Sequence, residues 1–390
     1  MQIAWFRGFQ HNKHYSALIE YPHFLESLGP PHAIPVLETI ALHRLRIPLL
    51  KPYRLSFGAV EHYEVIAAAI TDHEGRCGLG EANIITGYTD ETIDGGWRAA
   101  REFATRIART DSAAARSQVL KFGEHHPFTA SAFGGALDML ASPPLLTVDK
   151  ATPVPLLGLL NSTTEDAIPA EFEQLLAAGF RTIKIKVGFN AEADARLVRA
   201  VQGVVNGRAK IRIDANQGYS ALDAVTFVKS ISPRDIELFE QPCAAGDWDS
   251  HLTVARAAEI PMMLDESIYG LADIDRAASL KAAAYIKLKL MKLVTLDALV
   301  QAIARIRERG MQPVLGNGVA CDLGCWLEAC VAARHIDNAG EMNGFLKPRA
   351  NLLTQPLVFH DGALWLQPGY TPRFDNTVLE RYRVDTCTAS

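Results

Sequence analysis

Three acidic residues each close a short apolar run: Asp214 in Ile211-Arg-Ile-Asp-Ala-Asn216, Glu240 in Leu238-Phe-Glu-Gln-Pro242 and Asp265 in Met262-Met-Leu-Asp-Glu-Ser267. They recur roughly every 25 residues, the length of one strand and one helix, so each acid ends one unit of a repeating β/α chain. One unit upstream lies Ile183-Lys-Ile-Lys-Val187, and one unit downstream lies Ile286-Lys-Leu-Lys-Leu290. Side chains alternate across a strand, so Lys184 and Lys186 share a face, as do Lys287, Lys289 and Met291. In a closed parallel barrel the chemistry sits at the carboxyl ends of the strands. Successive strand ends would there present lysine, acid, acid, acid and lysine. Clustered carboxylates repel unless a cation lies between them, and such oxygen donors suit a hard ion such as Mg²⁺. The pattern is a cation site flanked by two bases.

Taken singly, these residues mean little. One acid at a strand end is usually a helix cap or a surface charge. Lys184 and Lys287 could equally be solvated or be partners of nearby carboxylates. The ordered set changes the reading.

That set, Lys-x-Lys, Asp-x-Asn, Glu-Gln-Pro, Asp-Glu-Ser and Lys-Leu-Met-Lys, resembles the enolase superfamily in its mandelate racemase and muconate lactonizing enzyme branch, on the muconate lactonizing side, over roughly residues 36 to 370. The resemblance implies an α/β fold: a modified (β/α)₇β TIM-like barrel with an N-terminal α+β capping domain. It implies Asp214, Glu240 and Asp265 as Mg²⁺ ligands, Lys186 and Lys289 as the acid/base pair, and Lys184 and Asn216 in support. The reaction it implies is abstraction of a proton α to a substrate carboxylate, the chemistry by which the superfamily is known. Racemisation, epimerisation or cycloisomerisation would follow, with dehydration or succinylbenzoate-type elimination and a silent carboxylate-binding relative as alternatives. Like-charge repulsion from Lys184 and a divalent ion would push Lys186 toward the neutral form a base needs. Two departures stand out: Leu293-Val294 where relatives usually carry Gly-Gly, and Lys287 where they often carry Asn.

The rest of the chain must position these groups. With 390 residues, 48% hydrophobic and 21% charged, it has enough apolar content for a core and more than one domain. The expected division is an extension over 1–35, a capping domain over 36–150, a barrel over 151–353, and a C-terminal segment over 354–390 that returns to the capping domain. Val65–Ile70 reads as a strand and 72–75 as a turn, with helices from about Arg98 toward Leu140. The first barrel strand is expected near Val154–Leu160, and a helix over Thr164–Ala178 stops at Gly179. Pro313–Leu315 is the seventh strand, and Pro356–Leu366 is a hairpin turning at Asp361-Gly362.

Substrate contacts are expected from two capping segments, through Tyr53, Arg54, Ser56 and Tyr88, and from strand ends through Asn317 and Glu341. A net charge of −5 gives no support to nucleic-acid binding. No apolar stretch approaches a membrane span, and no secretory signal is evident, so a small carboxylate substrate in the cytoplasm is the expected setting. Barrels of this size often assemble, so a homo-oligomer is expected. Six cysteines without paired spacing read as reduced, and Cys321, Cys325 and Cys330 as helix core. Gly316-Asn-Gly318 lacks the third glycine of a dinucleotide fingerprint, and neither a Gly-x-Ser-x-Gly elbow nor a P-loop occurs.

Overall fold

The computed structural model describes residues 35–390 except 56–57 and 88, and not the side chains of 54–58. The extension, Ser56, Tyr88 and the side chain of Arg54 therefore lie outside the described residues. Of the helices described, none is long and apolar enough to cross a membrane.

The capping region opens with β1 (Leu37–Leu55), β2 (Gly58–Asp72) and β3 (Cys77–Asn83), then α1 (Ile93–Ile107), α2 (Ser112–Gly123) and α3 (Pro127–Ala141). The turn after β2 closes because Asp72 Oδ1 accepts the Glu74 and Arg76 N–H groups, at 3.0 and 2.9 Å. One sheet face buries Ile40, Leu42, Ile66 and Ile70 beneath the helices. Helix α3 lies directly on β3: a Cβ at Gly78 or Gly80 would stand 2.0 or 1.9 Å from the carbonyl oxygens of Ala136 or Ala132. Only glycine permits that approach.

The chain continues through β4 (Thr152–Pro155), β5 (Gly158–Leu159), α4 (Ile168–Ala177), β6 (Thr182–Lys186), α5 (Ala191–Val205), β7 (Lys210–Asp214), α6 (Ala221–Lys229), β8 (Ile236–Glu240) and α7 (Trp248–Ala257). It then runs through β9 (Met262–Leu264), α8 (Leu271–Leu280), β10 (Tyr285–Leu288), α9 (Leu290–Leu293), α10 (Leu296–Glu308), β11 (Gln312–Leu315) and α11 (Asp322–His335). Strands β5 to β11 form one parallel sheet in sequence order. Gly340-Glu341 closes it as the eighth position: Leu157 N–H donates to the Gly340 carbonyl at 2.9 Å, and Glu341 N–H donates to Leu315 at 3.0 Å. Outward residues such as Ile183, Ile185 and Ile213 pack on the helices. Inside, Leu238, Met263 and Val314 form a small apolar group. Fully buried Arg212 meets Glu237 at 2.6 Å.

Three details differ from the sequence reading. The run near Val154 is divided: β4 pairs with a hairpin strand, and the first barrel strand is the two-residue β5. The hairpin, β12 (Val358–His360) and β13 (Ala363–Leu366), pairs with β4 and not with the capping sheet. After α12 (Asn376–Tyr382), it is β14 (Arg383–Ala389) that reaches that sheet, alongside β1. Met291 leaves the strand face of Lys287 and Lys289 because the chain turns into α9 after Lys289. The cysteines of the 321–330 segment are free and buried.

Candidate active site

The mouth of the barrel gathers charge from six positions. Asp214 and Glu240 end β7 and β8, and Asp265 follows β9. Lys184 Nζ lies 2.8 Å from Asp214 Oδ2, 2.8 Å from Glu240 Oε2 and 2.9 Å from Glu341 Oε2. Lys186 Nζ donates to Asp214 Oδ2 at 2.6 Å and to Asn216 Oδ1 at 2.5 Å. Across the barrel, Lys289 Nζ donates to Asp265 Oδ2 at 2.6 Å, and Lys292 Nζ bonds Asp265 Oδ1 and its carbonyl at 2.9 and 2.7 Å. Lys287 pairs with Glu341. All these groups but Lys186 and Asn216 are buried.

The backbone that presents them is strained where the strands end. Asn216, Gln217 and Gln241 hold φ of 40°, 68° and 38°, a region that only Asn among them enters with ease. Gln241 makes use of its position. Its Oε1 accepts the Asp265 and Ser267 N–H groups at 2.9 and 3.3 Å, and its Nε2 donates to Ser267 Oγ at 2.8 Å. The Glu240 strand end thereby fixes the Asp265 strand end. Asn216 Nδ2 likewise donates to Glu266 Oε1 at 2.9 Å.

Electrostatics separate the acids. Burial alone would raise Asp214 and Asp265, but each faces two lysines, and both are held below the usual carboxylate range. Glu240 goes the other way, raised by burial and by the neighbouring Asp214 charge. Burial and Asp265 push Glu266 up to about 7. Burial would lower Lys184, but Asp214, Glu240 and Glu341 hold it well above the ordinary lysine value. Burial would lower Lys186 as well, but Asp214, Tyr53 and Glu341 together outweigh burial and Lys184, and it too is raised. The like charge of Lys184 alone does not make Lys186 neutral: its carboxylate partner Asp214 counts for more, and the expected neutral form depends on a divalent ion as well.

The donor chemistry fits a hard cation. Glu240 Oε1 is buried and accepts no hydrogen bond; Oε2 has Lys184 within ion-pair distance but outside hydrogen-bond geometry. A cation coordinated there would satisfy oxygens that protein donors leave bare. Ammonium groups now stand between the acids, and among the described residues no three His, Cys, Asp or Glu side chains are gathered tightly enough to cage an ion as they stand.

Of the expected substrate contacts, Tyr53, Asn317 and Glu341 line the same cleft as Lys184, Lys186, Asp265 and Lys289. Asn317 is turned to its own loop, with Oδ1 accepting Val319 N–H at 3.0 Å. Glu341 is engaged by two lysines. Sequence reasoning assigned no role to Gln241, Glu266 or Lys292, although all three lie inside the quoted motifs. It also passed over Glu328 of α11, whose Oε1 accepts the N–H of Leu290, next to Lys289, at 2.8 Å. On its helix Glu328 carries no local signal.

Residues 167–376 match the family model described as "Enolase C-terminal domain-like". The chain belongs to that family, in the mandelate racemase/muconate lactonizing enzyme group of the enolase superfamily. It is 28% identical to an L-Ala-D/L-Glu epimerase of Clostridium acetobutylicum, over 77% of this chain and 86% of that protein. It is 24% identical to an N-succinyl-L-Arg/Lys racemase of Bacillus cereus, over 75% and 81%. The crystal structure of a dipeptide epimerase from Cytophaga hutchinsonii, complexed with Mg and D-Ala-L-Val, superposes with a TM-score of 0.82 at 21% identity, covering 91% of this chain and all of that one. These named relatives are isomerases.

Proposed function

We propose that the protein is a Mg²⁺-dependent racemase or epimerase that moves the proton α to a substrate carboxylate. The observation that carries this is topological. Strands β6 and β10 are four places apart in a ring of eight, so Lys186 and Lys289 face each other across the cleft. One group can remove a proton from one face of a carbon while the other returns a proton to the opposite face. The names of the curated relatives, which act on dipeptides or N-succinyl amino acids, support the same outcome.

Asp214, Glu240 and Asp265 would hold the ion, with Lys184 tying Asp214 and Glu240 into position from below. Bound Mg²⁺ would stabilise negative charge developing on the substrate carboxylate and draw carboxylate charge away from the two lysines. Lys186 or Lys289, once less tightly paired, serves as base in its neutral form and as acid when protonated. The strained turns at 216 and 241 keep the acids aimed into the cleft.

The test is NMR-detected α-proton exchange in D₂O with N-acyl amino acids, dipeptides and hydroxy acids, with and without Mg²⁺. Expected is Mg²⁺-dependent exchange with inversion. Lys186→Ala and Lys289→Ala should each lose inversion by about 10²- to 10⁴-fold, while each retains exchange of opposite enantiomers. Wild-type exchange without inversion, or inversion that survives the loss of either lysine, would overturn this reading, and formation of a lactone or an unsaturated product would replace it with cycloisomerisation or elimination.

A further inference from the structure

Against the wall of the cleft, beside Gly318 and Tyr53, stands a cation of a different kind. Lys347 follows the short turn Gly344–Leu346 and is partly buried. Its Nζ donates to the Gly318 carbonyl at 2.5 Å and to Asn343 Oδ1 at 3.0 Å, and stands 5.0 Å from the centre of the Tyr53 ring. Gly318 and Tyr53 both line the cleft. The lysines around Asp214, Asp265 and Glu341 each have a carboxylate partner. Lys347 has none within ion-pair distance among the described residues, only neutral acceptors and an aromatic face. An ammonium has three donors, and two are used.

The acids show the converse. Asp214, Asp265 and Glu341 line the cleft, and each is already matched by two or more lysines. A substrate bearing a free ammonium needs an uncommitted carboxylate, and these are committed. Burial pushes the Lys347 ammonium down to about 8, the direction expected of a cation that lacks a close anion.

We infer that the substrate carries a second anionic group, remote from its reacting carboxylate, that docks on Lys347: a dicarboxylate, or an N-acyl amino acid whose acyl chain ends in a carboxylate, in preference to a dipeptide with a free amine. This rests on the proposed proton-transfer function and adds the class of substrate to it. Tyr53 packs against the ammonium and leaves its remaining donor for the incoming anion.

Three compounds that differ only in the remote end test it: N-succinyl-, N-butanoyl- and glycyl-L-phenylalanine, followed by α-proton exchange in the Mg²⁺-loaded enzyme. The succinyl compound is expected to have a KM about 10- to 100-fold below that of the butanoyl compound, the scale of one charge-assisted pair. Lys347→Met should narrow that preference to within about threefold, and Lys347→Arg should keep most of it. Equal handling of the succinyl and butanoyl compounds by the wild type, or preference for the glycyl compound, overturns the inference while leaving proton transfer intact. If none of the three exchanges, the proton-transfer reading fails for this class, and calorimetric titration with succinate and butanoate decides the Lys347 site separately. Tighter binding of succinate, lost in Lys347→Met, supports it; equal binding overturns it.

Discussion

The two lysine-bearing flanks of the cleft present similar chemistry on differently built supports. Past Lys186 the chain turns through Gly188 at φ +98°, and Asp194 of α5 gathers that turn: its Oδ2 accepts the N–H groups of Gly188, Phe189 and Asn190 at 3.1, 2.9 and 2.9 Å and the Tyr219 hydroxyl at 2.6 Å. Past Lys289 the chain turns through Val294 at φ +71°. There the supporting carboxylate is Glu328, whose Oε1 takes Leu290 N–H while its Oε2 accepts no hydrogen bond. One flank has glycine where the backbone demands it and a carboxylate saturated with donors. The other has a β-branched residue in the same half of conformational space and a carboxylate short of donors. The β10 flank is therefore held by its neighbours, α3 and α11, more than by its own sequence.

The largest expected effect lies at the centre, where the flanks meet through Glu341. Lys184 pairs with Asp214, Glu240 and Glu341, whereas Lys287 stands within ion-pair distance of Glu341 alone among the described residues and reaches Glu240 and Asp265 only at longer range. Removing one member of a buried ionic group leaves the others uncompensated, which costs about 3–5 kcal/mol. Lys184→Met should lose stability on that scale in urea unfolding without metal. Lys287→Asn leaves Glu341 its Lys184 contact and should lose about 1–2 kcal/mol. Equal losses would mean that the two flanks share the central charges evenly.

Glu328 gives the next effect, and it depends on pH. Burial raises its carboxyl from 4.5 to about 7 in the folded protein. Below pH 4.5 the folded and unfolded chains both keep this proton, and the group is neutral in its effect on stability. Between 4.5 and about 7 the unfolded chain releases the proton while the folded chain retains it, so stability falls as pH rises, by roughly 3 kcal/mol at about 1.4 kcal/mol per unit. Glu328→Gln keeps an acceptor for Leu290 N–H and removes that slope. Urea midpoints at pH 4.5, 5.5 and 7.5 should show the variant gaining on the wild type only as pH rises. A constant offset across the series would mean that Glu328 is as well satisfied as Asp194.

The β6 flank was readable from sequence because its determinants are local: alternation puts Lys184 and Lys186 on one face, and spacing puts Asp214, Glu240 and Asp265 at neighbouring strand ends. Gly179 as a helix stop is of the same kind, with φ +93°. What escaped depends on contacts distant in sequence. Glu328 reaches Leu290 across 38 residues, and Gln241 reaches Asp265 across 24. Neither distance is encoded in a period. The two-residue β5 and the β4 pairing escaped because proline-punctuated apolar runs fit either sheet. Alternation identifies Lys184 as the strand neighbour of Lys186, but not Asp214 on the next strand, its ion-pair partner.

The smallest effect concerns Val294, and it tests directly whether the β10 flank is strained. With ψ −43° and Thr295 N–H donating to the Leu293 carbonyl at 2.8 Å, the residue sits in the rarer, strained form of the γ-turn. Neighbours enforce it: a Cβ added at Gly134 would stand 2.0 Å from the Val294 carbonyl oxygen, and one at Gly123 would stand 2.6 Å from its Cγ2. Strain at such positions costs about 1–3 kcal/mol, and burial of the side chain returns about 1.5–2 kcal/mol. Val294→Gly gives up both, so its stability should stay within about 1 kcal/mol of the wild type. Val294→Ala gives up most of the burial but keeps a Cβ at positive φ, and should fall about 1 kcal/mol below the glycine variant. In ordinary helical backbone the order is the reverse, with alanine the more stable by about 1 kcal/mol. Thermal unfolding that ranks Val294→Ala above Val294→Gly would mean that the turn is relaxed, and that the two flanks differ in hydrogen bonding but not in backbone strain.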